Sequence, residues 1–250
     1  MLQALLRGKL SREQENLEDL LTCAVFGPLS YIAGERGLLP LLRLARLPDA
    51  TMPTVFDDFK LVVKEFAFWP VFSTDCVGPT EPDVLISASD SHGKKHLILI
   101  EVKLWSPKSS RPDFARVDVV DQLAREWCVL IDRCKAENAS PHMIYVTADS
   151  HFPSLEIGEG IEEFSVKCPS LSESYPMRCA WLSWLEVADA FENHSEPVLV
   201  DIAAACRRLD LVRFRGFPSI ARFEVHWTFT EHRERFIFAA DTIAVEWSYQ

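Results

Sequence analysis

The sequence predicts an α/β domain built on a central mixed β-sheet flanked by helices. Three observations predict it. Residues 84–88 and 96–103 are apolar runs of strand length joined by a polar segment holding Gly93, the form of a hairpin. Residues 117–136 place Val120, Leu123, Trp127, Leu130 and Ile131 on one side of a helix. Residues 143–147 form a further short apolar strand, so strands and helix alternate as they must when a sheet is covered on both faces.

In chain order, Ser11 and Gln14 read as a capping box, and Leu17, Leu20, Leu21, Ala24 and Val25 recur at helical spacing up to Gly27-Pro28. The leucine-dense stretch 37–47 reads as a short helix or turn packed on the core. The aromatics of 66–72 suggest a strand, with Pro70 marking an edge position or a bend. The run 96–103 is apolar at consecutive positions, as a central strand buried on both faces should be. Residues 180–184 suggest one more strand, and 184–193 and 197–209 suggest helices. The stretch 150–175 is acidic and rich in Ser, Pro and Gly and reads as a surface excursion. Alternation in 222–229 and 235–238 suggests a late hairpin. The expected organisation is a single domain over 1–250, with a core of roughly 11–150 and a helix and strand extension over 151–250.

Hydrophobic residues make up 48% and charged residues 25% of the chain, which excludes a disordered or fibrous protein. No apolar run approaches the roughly 18 residues of a membrane helix, and the first dozen residues lack an apolar core of signal-peptide length. Seven cysteines, an odd number, form neither a CxxC pair nor a ligand-like spacing with histidine. The expectation is a cytoplasmic protein with no membrane partner and cysteines used as small buried hydrophobes. Neither a GxxxxGK[ST] phosphate loop, nor a GxGxxG fingerprint, nor a GxSxG elbow is present, which removes the usual support for nucleotide-driven, hydride-transfer and serine-hydrolase chemistry.

The residues that carry chemistry are Asp83, at the opening of one strand, and Glu101 and Lys103, at the close of the next. Residues two apart in a strand share a face, so Glu101 and Lys103 emerge side by side. If the two strands pair as a hairpin, the start of the first meets the end of the second and Asp83 comes beside Glu101. Desolvated like charges repel, and a hard divalent cation removes the conflict: Mg²⁺ takes oxygen ligands, commonly one or two protein carboxylates, with water and phosphate for the rest. Asp83, Glu101 and the Val102 carbonyl are the candidate ligands, and Lys103 is placed to orient or activate the attacking water. A solvated salt bridge at a strand end is the plainer reading of Glu101 and Lys103.

Pro82-Asp83 and Glu101-Val102-Lys103 resemble the two motifs of the PD-(D/E)XK, or restriction endonuclease-like, superfamily of nucleases, and the helix-strand-strand-strand-helix-strand order over roughly 11–150 resembles its core. The resemblance implies an auxiliary acid on the first helix, for which Glu18 is the best match and Glu15 a competitor one turn earlier. It also implies a Gln on the helix after the Lys strand, matched by Gln122, although the aromatic that often follows at shorter spacing is displaced to Trp127. Glu18, with Glu13, Glu15 and Asp19, also fits an ordinary solvated helix face, and a mid-helix Gln such as Gln122 is common in any case.

The function expected from this resemblance is Mg²⁺- or Mn²⁺-dependent hydrolysis of phosphodiester bonds, in DNA before RNA. Asp83, Glu101, Lys103, Glu18 and Gln122 would carry it, with Lys108, Arg111 and Arg116 after the catalytic strand contacting substrate phosphates. Arginines and phenylalanines interleave in the tail from Arg207 to Phe223, where an amphipathic arrangement with Arg wet and Phe buried explains them better than base stacking. The net charge of −11 sits awkwardly with avid binding to a polyanion. The alternative is therefore a catalytically inactive member of the same fold, acting as a binding or assembly subunit, with a protein partner or a second copy of the chain.

Overall fold

The computed structural model describes residues 17–48, 56, 60–74, 77–104 and 106–213, together with two strands at 236–240 and 243–247. The chain divides into two compact units, 1–213 and 214–250. In the first unit a five-stranded mixed sheet is flanked by helices. Its strands are β1 (Val62–Phe68), β4 (Val84–Ser89), β5 (Lys95–Val102), β6 (Ala139–Thr147) and β7 (Cys179–Ser183), hydrogen-bonded in that order. β1, β4 and β5 are antiparallel neighbours, whereas β5, β6 and β7 run parallel. The short strands β2 (Phe72–Thr74) and β3 (Val77–Thr80) pair with each other beside it.

Parallel neighbours need crossovers, and helices supply them. Helix α3 (Gln122–Glu137) links β5 to β6, and α4 (Ser154–Lys167) with α5 (Pro169–Ser174) links β6 to β7. Helices α1 (Leu17–Leu29) and α2 (Leu38–Leu42) precede the sheet, and α6 (Trp184–Phe191) and α7 (Pro197–Arg208) follow it. Strand alternation sorts the core into two layers. Val84, Ile86, Ile98, Ile100, Val102, Ile144 and Val146 pack with α1, α2, α6 and α7. Leu85, Leu97, Leu99, Met143 and Tyr145 pack with α3 and α4 on the other face. Truncating a fully buried member such as Ile98 to Ala costs about 2–5 kcal/mol.

Several elements depart from expectation for local reasons. Segment 150–175 contains α4 and α5, with Ile157, Gly160 and Phe164 buried, so it forms part of the covering layer rather than a surface excursion. Its glycines disguise it, yet a Cβ on Gly160 would lie 2.8 Å from Asp121 Oδ1, so the helix can pack this closely only without a side chain there. Helix α3 starts at Gln122, five residues later than its apolar spacing implies. Asp121 caps it by accepting from Ala124 N (3.1 Å), while the Val120 and Asp121 N–H groups donate to Glu163 (3.0 and 2.6 Å). The 66–72 run is two elements: edge strand β1 ends at Phe68, and the chain bends at Trp69, left-handed at φ 47°, before β2. Cys128, Cys134, Cys179 and Cys206 are buried.

The capping box at Ser11 and Gln14, Glu15, and the tail segment 214–229 lie outside the described residues. In the second unit β8 (Phe236–Ala240) pairs antiparallel with β9 (Ile243–Trp247). Among the described residues no helix is long and apolar enough to cross a membrane.

Candidate functional site

Strand register brings the candidate residues together. The β4–β5 ladder pairs Val84 with Ile100, so the next position outward sets Asp83 opposite Glu101. Directly opposed residues of an antiparallel pair have Cβ atoms about 4.5–5.5 Å apart. Alternation does the rest: Val102 points into the core with α1, while Asp83, Glu101 and Lys103 share the face covered by α3. Lys103 is fixed through its backbone, its N–H donating to Val146 O (2.8 Å) and its carbonyl accepting from Trp184 Nε1 (3.2 Å).

The carboxylates are tightly engaged. Asp83 Oδ2 accepts from Val102 N–H at 2.8 Å and Oδ1 from Trp69 Nε1 at 3.2 Å. Glu101, 2% exposed, accepts at Oε1 from Lys103 Nζ (2.5 Å) and from Gln122 Nε2. Its Oε2 is buried. Gln122 also donates to Glu126 Oε1 (3.0 Å), and its own Oε1 accepts from Ser109 N (2.8 Å), which fixes the amide orientation. Glu126 is 1% exposed, and its Oε2 is likewise buried.

Three acids thus surround one ammonium. Burial and then the charge of Glu101 push the Asp83 carboxyl up to about 7, despite opposing hydrogen bonds from Val102 and Trp69. Burial and the same neighbour raise Glu126 well above the usual carboxylate range. Burial works against the charge on Lys103, but Glu101, Asp83 and Glu18 outweigh it and hold its pKa above the ordinary lysine value. Lys103 is therefore an ammonium at neutral pH.

Not every expected residue joins this group in the expected way. Glu18 on α1 reaches the strand exit, where its Oε1 accepts from Leu104 N (2.9 Å) and Ser106 Oγ (2.5 Å), so it holds the turn that follows Lys103. Lys108 is a correction. Its side chain is fully buried, paired with Asp121 and with Glu159 (3.2 Å), and donates to Glu156 O (2.7 Å), so it is withdrawn from any solvent-borne phosphate. Arg116 is exposed and paired with Asp118 (2.6 Å), and Arg111 is exposed. His96, bracketing the hairpin turn, lies at the opposite end of the strands, bonded to His142 (2.9 Å). In the tail, Arg207 pairs with Glu192 and Arg213 with Glu186.

Sequence reasoning missed Glu126 and Trp69. Glu126 follows Gln122 by one helical turn and so shares its face, a signal that was legible. Trp69 gives no such signal, because its place depends on the β1–β4 register.

Whether the site suits a hard cation depends on its donors. Among the described residues no three acid, His or Cys side chains gather as a closed metal site. A Mg²⁺ site built on two carboxylates requires no third. Asp83 and Glu101 are oxygen donors of the right charge, and the Val102 carbonyl accepts from Lys103 Nζ at 3.2 Å with a second lone pair to spare. The residues fit the group. A cleft of about 310 Å³ opens at Lys103, lined also by Leu104, Ser106, Tyr145, Thr147, Asp149 and Glu156, with Asp83, Glu101 and Val102 outside its lining.

Comparison of the chain with protein-family models, with curated proteins and with solved structures finds no match in any of the three.

Proposed function

We propose that this protein is a Mg²⁺- or Mn²⁺-dependent nuclease of the PD-(D/E)XK kind that hydrolyses phosphodiester bonds, in DNA before RNA. One observation carries the reading: Asp83 and Glu101 face each other across paired strands at the end of the sheet, with the Lys103 ammonium held on Glu101. Such an arrangement is costly for folding and is repaid by a cation. Bound there, the cation would supply Lewis acidity to the phosphodiester and acidify the attacking water.

The protein's own groups divide the remaining work. Asp83 and Glu101 would hold the cation, with the Val102 carbonyl as a third oxygen. Lys103, kept charged, orients the attacking water and offsets charge on the phosphoryl oxygens, a role its raised pKa favours over proton acceptance. Gln122 fixes Glu101, and Glu18 holds the strand exit. Arg111, exposed in the loop after β5, is the candidate to meet a substrate phosphate, with the exposed Arg116, which is paired with Asp118, as a second.

A second reading has its own support. The net charge of −11 and the burial of Lys108 favour a catalytically inactive assembly subunit that binds protein or a second copy of the chain. Incubation of the purified protein with linear, supercoiled and single-stranded nucleic acids, with and without Mg²⁺ or Mn²⁺, separates the two. Cation-dependent cleavage lost in Asp83→Ala supports the nuclease. Intact substrates under all conditions, with no cation-dependent stabilisation, support the subunit.

A further inference from the structure

Trp69 combines two features that are hard to explain by packing. Its backbone is left-handed, at φ 47°, a conformation that a bulky side chain adopts only under strain and that Gly or Asn would adopt more readily. Its indole N–H donates to Asp83 Oδ1 at 3.2 Å. Register explains how the two meet. β1 pairs Phe68 with Val84, so Trp69 stands opposite Asp83, and Trp69 N donates to Asp83 O at 3.0 Å. Trp69, Asp83 and Glu101 therefore form one row across three strands.

The ring itself is half-buried, with its centroid 5.9 Å from that of Phe68. A phenyl ring would keep most of that contact. What the indole adds is a donor aimed at a carboxylate. Since Val102 N–H holds the other Asp83 oxygen, the two neutral donors fix the plane of the carboxylate without cancelling its charge. Strain retained beside a functional group points to orientation as its purpose.

We infer that Trp69 is a positioning residue: its strained backbone delivers the indole N–H to Asp83, and the clamped carboxylate is thereby presented to a divalent cation. The inference rests on the proposed cation-dependent activity and adds to it a residue outside both sequence motifs.

The test compares wild type, Trp69→Phe and Trp69→Gly in the full chain, by calorimetric Mg²⁺ titration without nucleic acid and by steady-state cleavage. Trp69→Phe keeps the ring and removes the donor, and Trp69→Gly also relieves the backbone. Loss of an outer partner of a metal ligand typically costs about 10- to 100-fold in affinity or activity. The expected result is an Mg²⁺ dissociation constant raised about tenfold in both variants, with kcat lowered at saturating Mg²⁺ and KM for nucleic acid unchanged. Thermal unfolding of Trp69→Phe close to wild type excludes a merely structural effect. If wild type is active and Trp69→Phe matches it in Mg²⁺ affinity and kcat, the positioning role falls alone. If wild type neither binds Mg²⁺ nor cleaves, the nuclease reading falls and this role with it.

Discussion

The β4–β5 hairpin collects ionisable groups at both its ends, and the two ends treat them in opposite ways. At the turn, Asp90 Oδ1 accepts from His92 N (2.8 Å) and Lys94 N (2.9 Å), and Gly93 supplies the positive φ that the turn needs. His96 bonds His142 through ring nitrogens 2.9 Å apart and approaches Asp90 at 3.4 Å. Burial, then His96 and Lys94, drives the His142 pKa down to about 3, and burial also lowers that of His96, so both rings are neutral at pH 7. At the open end, Asp83, Glu101 and Glu126 crowd a single Lys103, and Glu126, held neutral by burial and by Glu101, shares a hydrogen bond with that neighbour. The turn end is complete in itself and reads as architecture. The open end keeps its acids crowded and raised, Glu126 well above the usual carboxylate range and Asp83 up to about 7, which is why the proposed chemistry belongs there.

The comparison is broken most directly by substitution at each end. Asp83→Ala and Glu101→Ala are expected to abolish cation-dependent cleavage, and Lys103→Ala to lower kcat about 10²–10³-fold, the typical cost of losing one preorganised donor. Circular dichroism of each should match wild type. His142→Gln, at the other end, should leave cleavage at neutral pH unchanged, and a comparable loss there would erase the distinction.

Lys108 supplies the next largest effect, and it concerns stability. Removing one member of a buried ion pair strands the other, so Lys108→Met is expected to destabilise the fold by about 3–5 kcal/mol in urea unfolding, because Asp121 stays buried. A variant of normal stability with impaired nucleic-acid binding would instead return Lys108 to the substrate.

The two ends also differ in the sign of their pH dependence. Asp83 has a folded pKa of about 7 against 3.8 for the free group, so its contribution is fully present below about pH 4 and is lost as pH rises through 7. His142 has a folded pKa of about 3 against 6.5, so its contribution is present above 6.5 and is lost as pH falls toward 3. Metal-free urea unfolding between pH 3 and 8 should show Asp83→Asn removing the loss on the alkaline side and His142→Gln the loss on the acid side. Arg111→Ala is expected to have the smallest effect: stability within about 0.5 kcal/mol of wild type, with nucleic-acid binding weakened and its salt slope reduced by about one.

What was legible in the sequence followed short-range rules. Period-two alternation placed Glu101 and Lys103 on one face, and a polar connection with Gly93 made the hairpin that sets Asp83 opposite them. Gln122 was legible through the resemblance alone, whereas the helix start was not, because the N–H groups of Val120 and Asp121 are taken by Glu163 more than forty residues away. Long-range partners also hid Lys108, which looked like a loop cation until Asp121 and Glu159 enclosed it. Segment 150–175 was misread because Gly158 and Gly160 suggest a loop, whereas close packing on Asp121 is what demands Gly160. Trp69 was invisible because its role depends on a backbone angle and on a strand pairing that local patterns do not encode.

The central claim, that the open end of the hairpin seats a divalent cation, is tested most directly by thermal unfolding with and without Mg²⁺. At about a hundred times the dissociation constant, binding to the folded state alone adds about 2.7 kcal/mol. For a chain of this size that corresponds to a Tm about 5–10 °C higher. The account predicts this rise in wild type and its absence in Asp83→Ala. A wild-type Tm that Mg²⁺ and Mn²⁺ leave unmoved would contradict it.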